Sequence, residues 1–467
     1  RHCVHFKLPD LHLPIPGFFH IIKTDPKLLR LRTFFCQPKP ESIFSQLRDP
    51  YFFTVHKTGQ QSKWYHRNPH RKTHLPSDKK RDAICSHTAP PTVSDYFTSS
   101  DTDIPSVSAV SQRRDLLYPE IFKSINRRFL SSIDNLSTLN GYYILAQDGS
   151  DINLPFLQDD TQISYGQDSI VCQYHLNALY DCINHVFWES RIDLPTKKSE
   201  VSALIDFINH RNYPENSIIT ADRNYESYNL MAHCIESNQK FVFRVKDIDT
   251  KKGILTSLSL PDEIFDITVT RTLTNVQTNE VKKNENNQFV FVPSTSVFDY
   301  LDACNRFYDL SFRIIRFKIA GDKYETLVTN LDENEFKLSD FKDLYHLRWN
   351  EETAFYYLKY AVGMLYFHCK KRQHIQQEIY ASILFYNYAN LIIQNIKKKM
   401  EIKKTKYIYN INVRSALTNI RNYFRNQIKE SILIRNIKKY LTPSRPDRNV
   451  QRSIKRQSPR ALNNRTS

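Results

Sequence analysis

Short apolar runs alternate with amphipathic segments between residues 142 and 245, and this order constrains the fold more than any other feature. Residues 201–208 place apolar side chains at helical spacing, and a second helix is predicted at 227–236. Runs rich in β-branched and aromatic residues predict strands at 142–146, 170–180, 185–192, 217–221 and 241–245. Three strands followed by alternating helices and strands predict an α/β fold.

The rest of the chain divides by composition. Residues 1–100 hold 9 of the 16 histidines and 11 of the 21 prolines, which predicts a basic, irregular or disordered segment. Residues 101–245 form the first part of the α/β domain. Strand-like runs at 265–270, 289–292, 312–317 and 326–329 predict a β-rich insertion over 246–340. Helical patterns return over 341–396, and 397–467 is a basic tail with weak helical pattern to Tyr440.

The formal net charge of +17 is concentrated in that tail. Residues 397–467 carry 20 Lys and Arg against 3 Asp and Glu, so the remaining chain sums to zero. A basic end indicates a polyanionic partner, usually nucleic acid, although a merely solubilising tail fits the charge as well. No apolar run approaches 18 residues, so no membrane span is expected, and no signal peptide is visible.

Two aspartates follow apolar runs. Asp148 comes just after the run at 142–146, and Asp222 comes directly after the run at 217–221. Acids at the ends of neighbouring strands are held rigidly and, with a third carboxylate, can hold two divalent metal ions about 4 Å apart. Each Asp taken alone fits better as a cap of a turn or of the next helix.

A helical segment supplies the candidate third acid. Tyr345, Arg348, Glu352 and Lys359 have offsets that, at 100° per residue, fall within a stripe about 60° wide. A carboxylate between two cations and a phenol suits a site that handles metal and phosphate. An exposed helix face with one ordinary salt bridge is the simpler interpretation.

The eight cysteines include no C-x-x-C pair, which is typical of reduced thiols in a cytosolic protein. Cys172, His175, Cys182 and His185 have a spacing similar to that of zinc ligands. The segment reads as two strands, however, and residues three apart on a strand point to opposite faces. The spacing is therefore a weak indication of zinc.

At these residues the sequence resembles the DDE transposases of bacterial insertion sequences, the insertion-sequence-four group. The four helical residues match that group's Tyr-x2-Arg-x3-Glu-x6-Lys signature, Asp148 matches its first catalytic Asp in a D-G-S context, and Asp222 matches its second in A-D-R-x-Y. The stretches HLNALYD and SVSAVSQRR also resemble the group. The resemblance covers residues 104–395 and implies a ribonuclease-H-like core with a β-rich insertion before Glu352. The first 100 residues do not resemble the helical end-binding domain of such enzymes.

The resemblance implies cut-and-paste transposition. Asp148, Asp222 and Glu352 would hold two Mg²⁺ ions, replaceable by Mn²⁺, that activate the attacking hydroxyl and stabilise the leaving oxygen. Tyr345, Arg348 and Lys359 would hold the DNA backbone. Trp349 could stack on an unpaired base, and a half-buried core Trp fits it equally well. The implied partners are transposon ends, target DNA and a second copy of the chain, in the bacterial cytoplasm at the nucleoid. A hydrolytic nuclease or resolvase of the same fold, and a non-catalytic DNA-binding remnant, remain as alternatives.

Overall fold

The computed structural model describes residues 106–155, 163–165, 170–248, 250, 253–283, 288–321, 323–365, 367, 369–400, 407–425 and 427–444. The predicted irregular segment at 1–100 lies outside the described residues, as does the predicted tail beyond residue 444.

A large mixed sheet forms the centre of the molecule, and its strands follow the order β2-β3-β1-β5-β6-β10-β9-β7-β8, with β4 paired to β3. β1, β3 and β4 are antiparallel neighbours, whereas β5 runs parallel to β1 and β6 runs parallel to β5. The strands are β1 (Tyr143–Asn153), β2 (Ile163–Tyr165), β3 (Ile170–Asp181), β4 (Val186–Asp193), β5 (Ser217–Ala221), β6 (Lys240–Val245), β7 (Phe265–Thr274), β8 (Phe289–Phe291), β9 (Phe307–Ala320) and β10 (Lys323–Thr329). A separate pair is formed by β11 (Ile408–Ile411) and β12 (Leu441–Ser444).

Helices cover this sheet. They are α1 (Val107–Asp115), α2 (Glu120–Ser131), α3 (Glu200–His210), α4 (Tyr228–Glu236), α5 (Asn279–Lys283), α6 (Leu338–His346), α7 (Trp349–Tyr357), α8 (Arg372–Lys398), α9 (Val413–Phe424) and α10 (Glu430–Lys439). Helices α3 and α7 contact β1, and α8 packs on α2 and β4. Ile144, Leu145, Ala146 and Gln147 of β1 are all fully buried, so both faces of that strand are covered. Within the described ranges, no helix is long and apolar enough to cross a bilayer.

Three antiparallel strands continued by two parallel ones and flanked by helices make up the ribonuclease-H-like α/β core that was predicted, and the fold class is confirmed. The predicted β5 agrees with the observed strand at both ends. The first strand differs, because β1 runs on to Asn153 rather than ending near Ala146. Its polar second half stays paired with β3 as far as Asn153, opposite Gln173.

The strands of residues 246–340 extend the central sheet. β10 pairs antiparallel with β6, from Thr326 opposite Val245 to Thr329 opposite Val242. β9 then pairs with β10, and β7 pairs with β9. The β-rich segment is therefore hydrogen-bonded to the edge of the α/β core.

The first part of the predicted basic tail is folded. Helices α9 and α10 pack on α8, and Leu417, Ile420, Leu433 and Ile437 are buried in that contact. Arg421 of α9 donates hydrogen bonds to the carbonyls of Ala361 and Val362, at 3.3 and 2.9 Å. The high positive charge of this region gives no indication of these two amphipathic helices, whose apolar faces pack against the core.

Candidate active site

Asp148 lies on β1 directly after the last residue that pairs with the parallel strand β5. Gln147, opposite Ala221, is the last residue of β1 that pairs with β5. Pairing with β3 continues through Asp148, which lies opposite Ala178. The expectation that Asp148 ends its strand is wrong, because it is the parallel neighbour that ends there. One carboxylate oxygen of Asp148 accepts a hydrogen bond from the Gly149 N–H at 2.8 Å.

Asp222 directly follows β5, as predicted. Because β1 and β5 are parallel with Gln147 opposite Ala221, Asp148 and Asp222 occupy the next matching positions on adjacent strands, whose backbones lie about 5 Å apart. The Oδ1 atom of Asp222 accepts a hydrogen bond from the Asn224 N–H at 2.8 Å. Asp222 therefore caps the turn after β5, and this bond engages only one of its two oxygens.

The surroundings of Asp148 are rich in negative charge. Burial raises the pKa of Asp148 to about 6, and the charges of Glu200 and Asp222 also raise it. The Gly149 N–H and the Arg348 guanidinium act in the opposite direction. Carboxylates that are gathered and partly buried repel one another, and a divalent cation would relieve that repulsion.

The segment that carries the candidate third acid is not one continuous helix. Helix α6 ends at His346, α7 begins at Trp349, and a π-helical turn follows at Leu358–Val362. Between α6 and α7 the Arg348 N–H bonds to the Tyr345 carbonyl, three residues back, as in a 3₁₀ turn. The prediction of one continuous helix is therefore wrong, since 100° per residue does not hold across either junction, although Arg348 still lies close to Tyr345 and Glu352.

Two adjacent acids begin α7, and they differ sharply in environment. The predicted acid, Glu352, is partly exposed, and its Oε1 lies 3.2 Å from Nη2 of Arg348. Glu351 is 0% exposed, and the Asp148 N–H lies beside its carboxyl, but neither carboxyl oxygen has a hydrogen bond of normal geometry among the described residues. Burial raises the pKa of Glu351 well above its usual range, and the charge of Asp148 raises it further. The sequence prediction named Glu352 and did not single out Glu351.

Two of the predicted DNA contacts are buried. Tyr345 is 2% exposed, and its hydroxyl donates a hydrogen bond to the Ala221 carbonyl at 3.4 Å, at the end of β5. Arg348 is 5% exposed, and its cation lies close enough to Asp148 and Glu351 for their charges to raise its pKa, although burial lowers it. Tyr345 therefore supports β5 and Arg348 offsets the charge of nearby acids, and their contacts with the DNA backbone stay a prediction.

The other two predicted DNA contacts are more accessible. Trp349 is 42% exposed, and the Arg348 guanidinium lies 5.1 Å from the centre of its ring. Lys359 lies in the π-helical turn. Burial lowers the pKa of Lys359, whereas the charges of Asp151 and Asp148 raise it. The Lys359 ammonium therefore lies within electrostatic reach of these two acids of β1.

A cluster beside Asp148 was not predicted. The Nδ1 atom of His175 on β3 lies 2.7 Å from Asp151 of β1, and its Nε2 lies 3.2 Å from Glu200 in the first turn of α3. Although burial lowers the pKa of His175, its two carboxylate partners raise it to about 9. The two carboxylates therefore favour the imidazolium form of His175 at neutral pH, and its Nε2 approaches Glu200 as an ion pair beside the strand that carries Asp148.

Gly149 makes room for this cluster. A Cβ atom added at Gly149 would lie 2.6 Å from Oε1 of Glu200 and still closer to Nε2 of His175. The glycine of the D-G-S stretch is therefore required by close packing. Gly149 and His175 belong to the stretches D-G-S and HLNALYD, which the sequence analysis singled out. Nothing in the sequence singled out Glu200 apart from its position at the start of a helix.

The acidic side chains of this site are of the type that binds a divalent metal ion, although they do not form a complete set of ligands. In the part of the chain that the structure describes, no group of three or more His, Cys, Asp or Glu side chains is arranged to hold a metal ion. Asp148 and Asp222 nevertheless sit at matching positions, and the buried Glu351 carboxyl lies within reach of the Asp148 charge. Carboxylate oxygens are the donors that Mg²⁺ and Mn²⁺ prefer.

Comparison with known proteins agrees with this geometry. The family model described as "Transposase DDE domain" matches residues 139–388, which include Asp148, Asp222 and both acids of α7. No curated protein matches the chain in sequence. Among solved structures, a piggyBac transposase synaptic complex with hairpin DNA aligns at 11% identity and a TM-score of 0.37, over 88% of this chain and 78% of that one. A likeness of that size adds nothing to the fold assignment.

Proposed function

We propose, on the premise that the chain belongs to the transposase DDE-domain family, that it cuts DNA at the ends of an insertion sequence and joins them to target DNA. The proposed reaction is cut-and-paste transposition by a two-metal DDE mechanism. The enzyme would be a bacterial member of the insertion-sequence-four group, acting at the nucleoid. The central observation in support is that Asp148 and Asp222 directly follow Gln147 and Ala221, the last paired residues of the parallel strands β1 and β5.

In this proposal the acids hold the catalytic ions. Asp148 and Asp222 would supply oxygen ligands from β1 and β5, with Glu352 from α7 as the predicted third acid. Two Mg²⁺ ions, or Mn²⁺ in their place, would supply activation of the attacking hydroxyl and stabilisation of the leaving oxygen. His175 and Glu200 keep the β1 backbone in place, and Tyr345 supports the end of β5 through the Ala221 carbonyl.

Double-stranded DNA is the proposed partner, bound by two copies of the chain because two ends must be cut together. Trp349 offers an exposed ring that can stack on an unpaired base beside the site. Lys359, from the π-helical turn, can reach a phosphate near Asp148.

A strand-transfer assay tests the function. The full chain is incubated with Mn²⁺, a plasmid target and precut DNA ends taken from the sequences that flank its own gene. Joined products are the expected result. Nicking without joining would favour the hydrolytic nuclease, and DNA binding without either reaction would favour a non-catalytic remnant.

A separate prediction concerns the contribution of residues 445–467 to DNA binding. Residues 445–467 carry seven Lys or Arg and one Asp, and a deletion after Ser444 leaves α9 and α10 in place. Each lost phosphate contact reduces the slope of log K against log salt by about 0.9, so several such contacts would flatten it by several units. We expect weaker binding to all DNA sequences and unchanged chemistry on precut ends at low salt. Salt titrations of parent and truncated protein measure this, and an unchanged slope would show that the segment does not contact DNA.

A further inference from the structure

Glu351 differs from the other fully or nearly buried acids that the structure describes. Asp181 accepts hydrogen bonds from the main-chain N–H groups of Ile183 and Asn184 at 2.9 and 2.8 Å. Glu189 accepts two from Arg127, at 2.6 and 3.0 Å. Glu351, with 0% exposure, has the Asp148 N–H beside its carboxyl, but neither oxygen has a hydrogen bond of normal geometry among the described residues. A buried carboxyl with so little compensation is costly, and a missing ion is one of its physical explanations.

The surroundings of Glu351 place it at the candidate active site. Its main-chain N–H bonds to the Arg348 carbonyl in the first turn of α7, and α7 packs on β1. The neighbouring Asn350 anchors that turn, because its Nδ2 donates to the Cys182 carbonyl at 3.0 Å. Among the charges that act on Glu351, Asp148 is the strongest, and Arg348 is the next. The carboxyl therefore faces the strand that carries Asp148.

Glu352, by comparison, is already engaged. Its Oε1 lies 3.2 Å from the Arg348 guanidinium, and its side chain is partly open to solvent. Residues adjacent on a helix point about 100° apart, so the two acids cannot make the same contacts. The one that lies in the enclosed space beside β1 is Glu351.

We propose that Glu351 is a further metal-binding carboxyl of this site, which holds a divalent cation together with Asp148. The inference rests on the proposed function, because it assigns a ligand to the ions that the function requires. It also accounts for a carboxyl in a position where a helix packed on a sheet would normally place an apolar side chain. In the metal-free protein the Arg348 cation partly offsets this charge.

Mn²⁺ binding to the metal-free, DNA-free full chain provides the test. Unfolding temperatures of the parent, Glu351→Gln and Glu351→Leu are measured over a range of Mn²⁺ concentrations. Without metal, both variants are expected to unfold at the parent's temperature or above it, because a buried unpaired carboxyl has been removed. The Mn²⁺ concentration that gives half of the thermal shift is expected to rise by at least about tenfold in both.

Glu189→Gln is the matched control, because Glu189 of β4 is a buried acid paired with Arg127 of α2. It should lower the unfolding temperature without metal and leave the Mn²⁺ dependence unchanged. If both Glu351 variants respond to Mn²⁺ like the parent, or if both fail to fold, Glu351 is a core side chain and the inference is wrong. If the parent protein nicks DNA with Mn²⁺ while the Glu351 variants give either of these results, only the assignment of Glu351 is overturned, and the proposed function stands. A parent that neither binds Mn²⁺ nor nicks overturns the proposed function as well.

Discussion

Asp148→Asn and Asp222→Asn are each expected to abolish Mg²⁺- or Mn²⁺-dependent nicking of DNA, and so is Glu352→Gln. Each change keeps the size of the side chain and removes the charge that attracts the ion. Loss of a metal ligand removes about 4 kcal/mol or more of transition-state stabilisation, which is about a thousandfold in rate. Nicking of a plasmid that carries the gene's flanking sequences measures the effect, beside a gel-shift titration in which binding stays within about threefold.

Unfolded variants would also lose activity, and the stability of Asp148→Asn separates the two causes. Burial and the charges of Glu200 and Asp222 disfavour the Asp148 carboxylate, so a neutral amide should leave the metal-free unfolding temperature unchanged or higher. Glu333→Gln is the control, because Glu333 is an exposed acid in the loop before α6. Parental nicking by any of the three variants would remove that acid from the active site.

Gly149→Ala is expected to destabilise the protein and to lower its nicking rate. The added methyl group would overlap the ends of Glu200 and His175, which are held in place by their mutual contact and by Asp151. Overpacking of this kind costs about 1–3 kcal/mol, and a shift of β1 would misplace the adjacent Asp148. Urea unfolding and nicking assays measure the two effects.

A double-mutant cycle tests the cause of that loss. In a His175→Ala background the imidazole is absent and Glu200 can turn away, so Gly149→Ala should then cost less than about 1 kcal/mol. An equal penalty in both backgrounds would show that the methyl group meets something other than the His175–Glu200 pair. A Gly149→Ala protein with parental stability and rate would contradict the packing argument itself.

The order of elements could be predicted from the sequence because each element carries its own local pattern. The run 217–221 is uniformly apolar and is followed by a polar turn, and β5 has those bounds. The end of β1 could not be predicted in the same way. Its polar half from Asp148 to Asn153 remains a strand because β3 pairs with it, and pairing partners are not encoded in local apolarity.

The segment that carries the candidate third acid agrees with the sequence prediction only in part. The spacing of Tyr345, Arg348, Glu352 and Lys359 predicted one helix, because periodicity assumes that the helix is continuous. The 3₁₀ turn before Trp349 and the π-helical turn at Leu358–Val362 depend on tertiary contacts, such as the bonds from Arg421 to the Ala361 and Val362 carbonyls. Those contacts come from a region whose charge suggested only a tail.

Charged groups inside the core were the hardest to foresee. Glu351 follows no apolar pattern, and His175 and Glu200 are 25 residues apart in sequence yet lie 3.2 Å apart in space. Local reasoning expects such side chains on the surface. Their burial beside Asp148 is understandable only when the sheet register brings β1, β3 and α3 together.

The central claim is that Asp148 of β1 and Asp222, directly after β5, hold divalent metal ions, and counting bound Mn²⁺ tests it most directly. Free Mn²⁺ is followed by electron paramagnetic resonance as it is titrated into the metal-free full chain, the Asp148→Asn and Asp222→Asn variants, and the Glu333→Gln control. Two ions bound per parent and control chain, with at least one lost or greatly weakened in each Asp variant, is the predicted result. Absence of binding to the parent, or binding that neither Asp variant changes, would contradict the account.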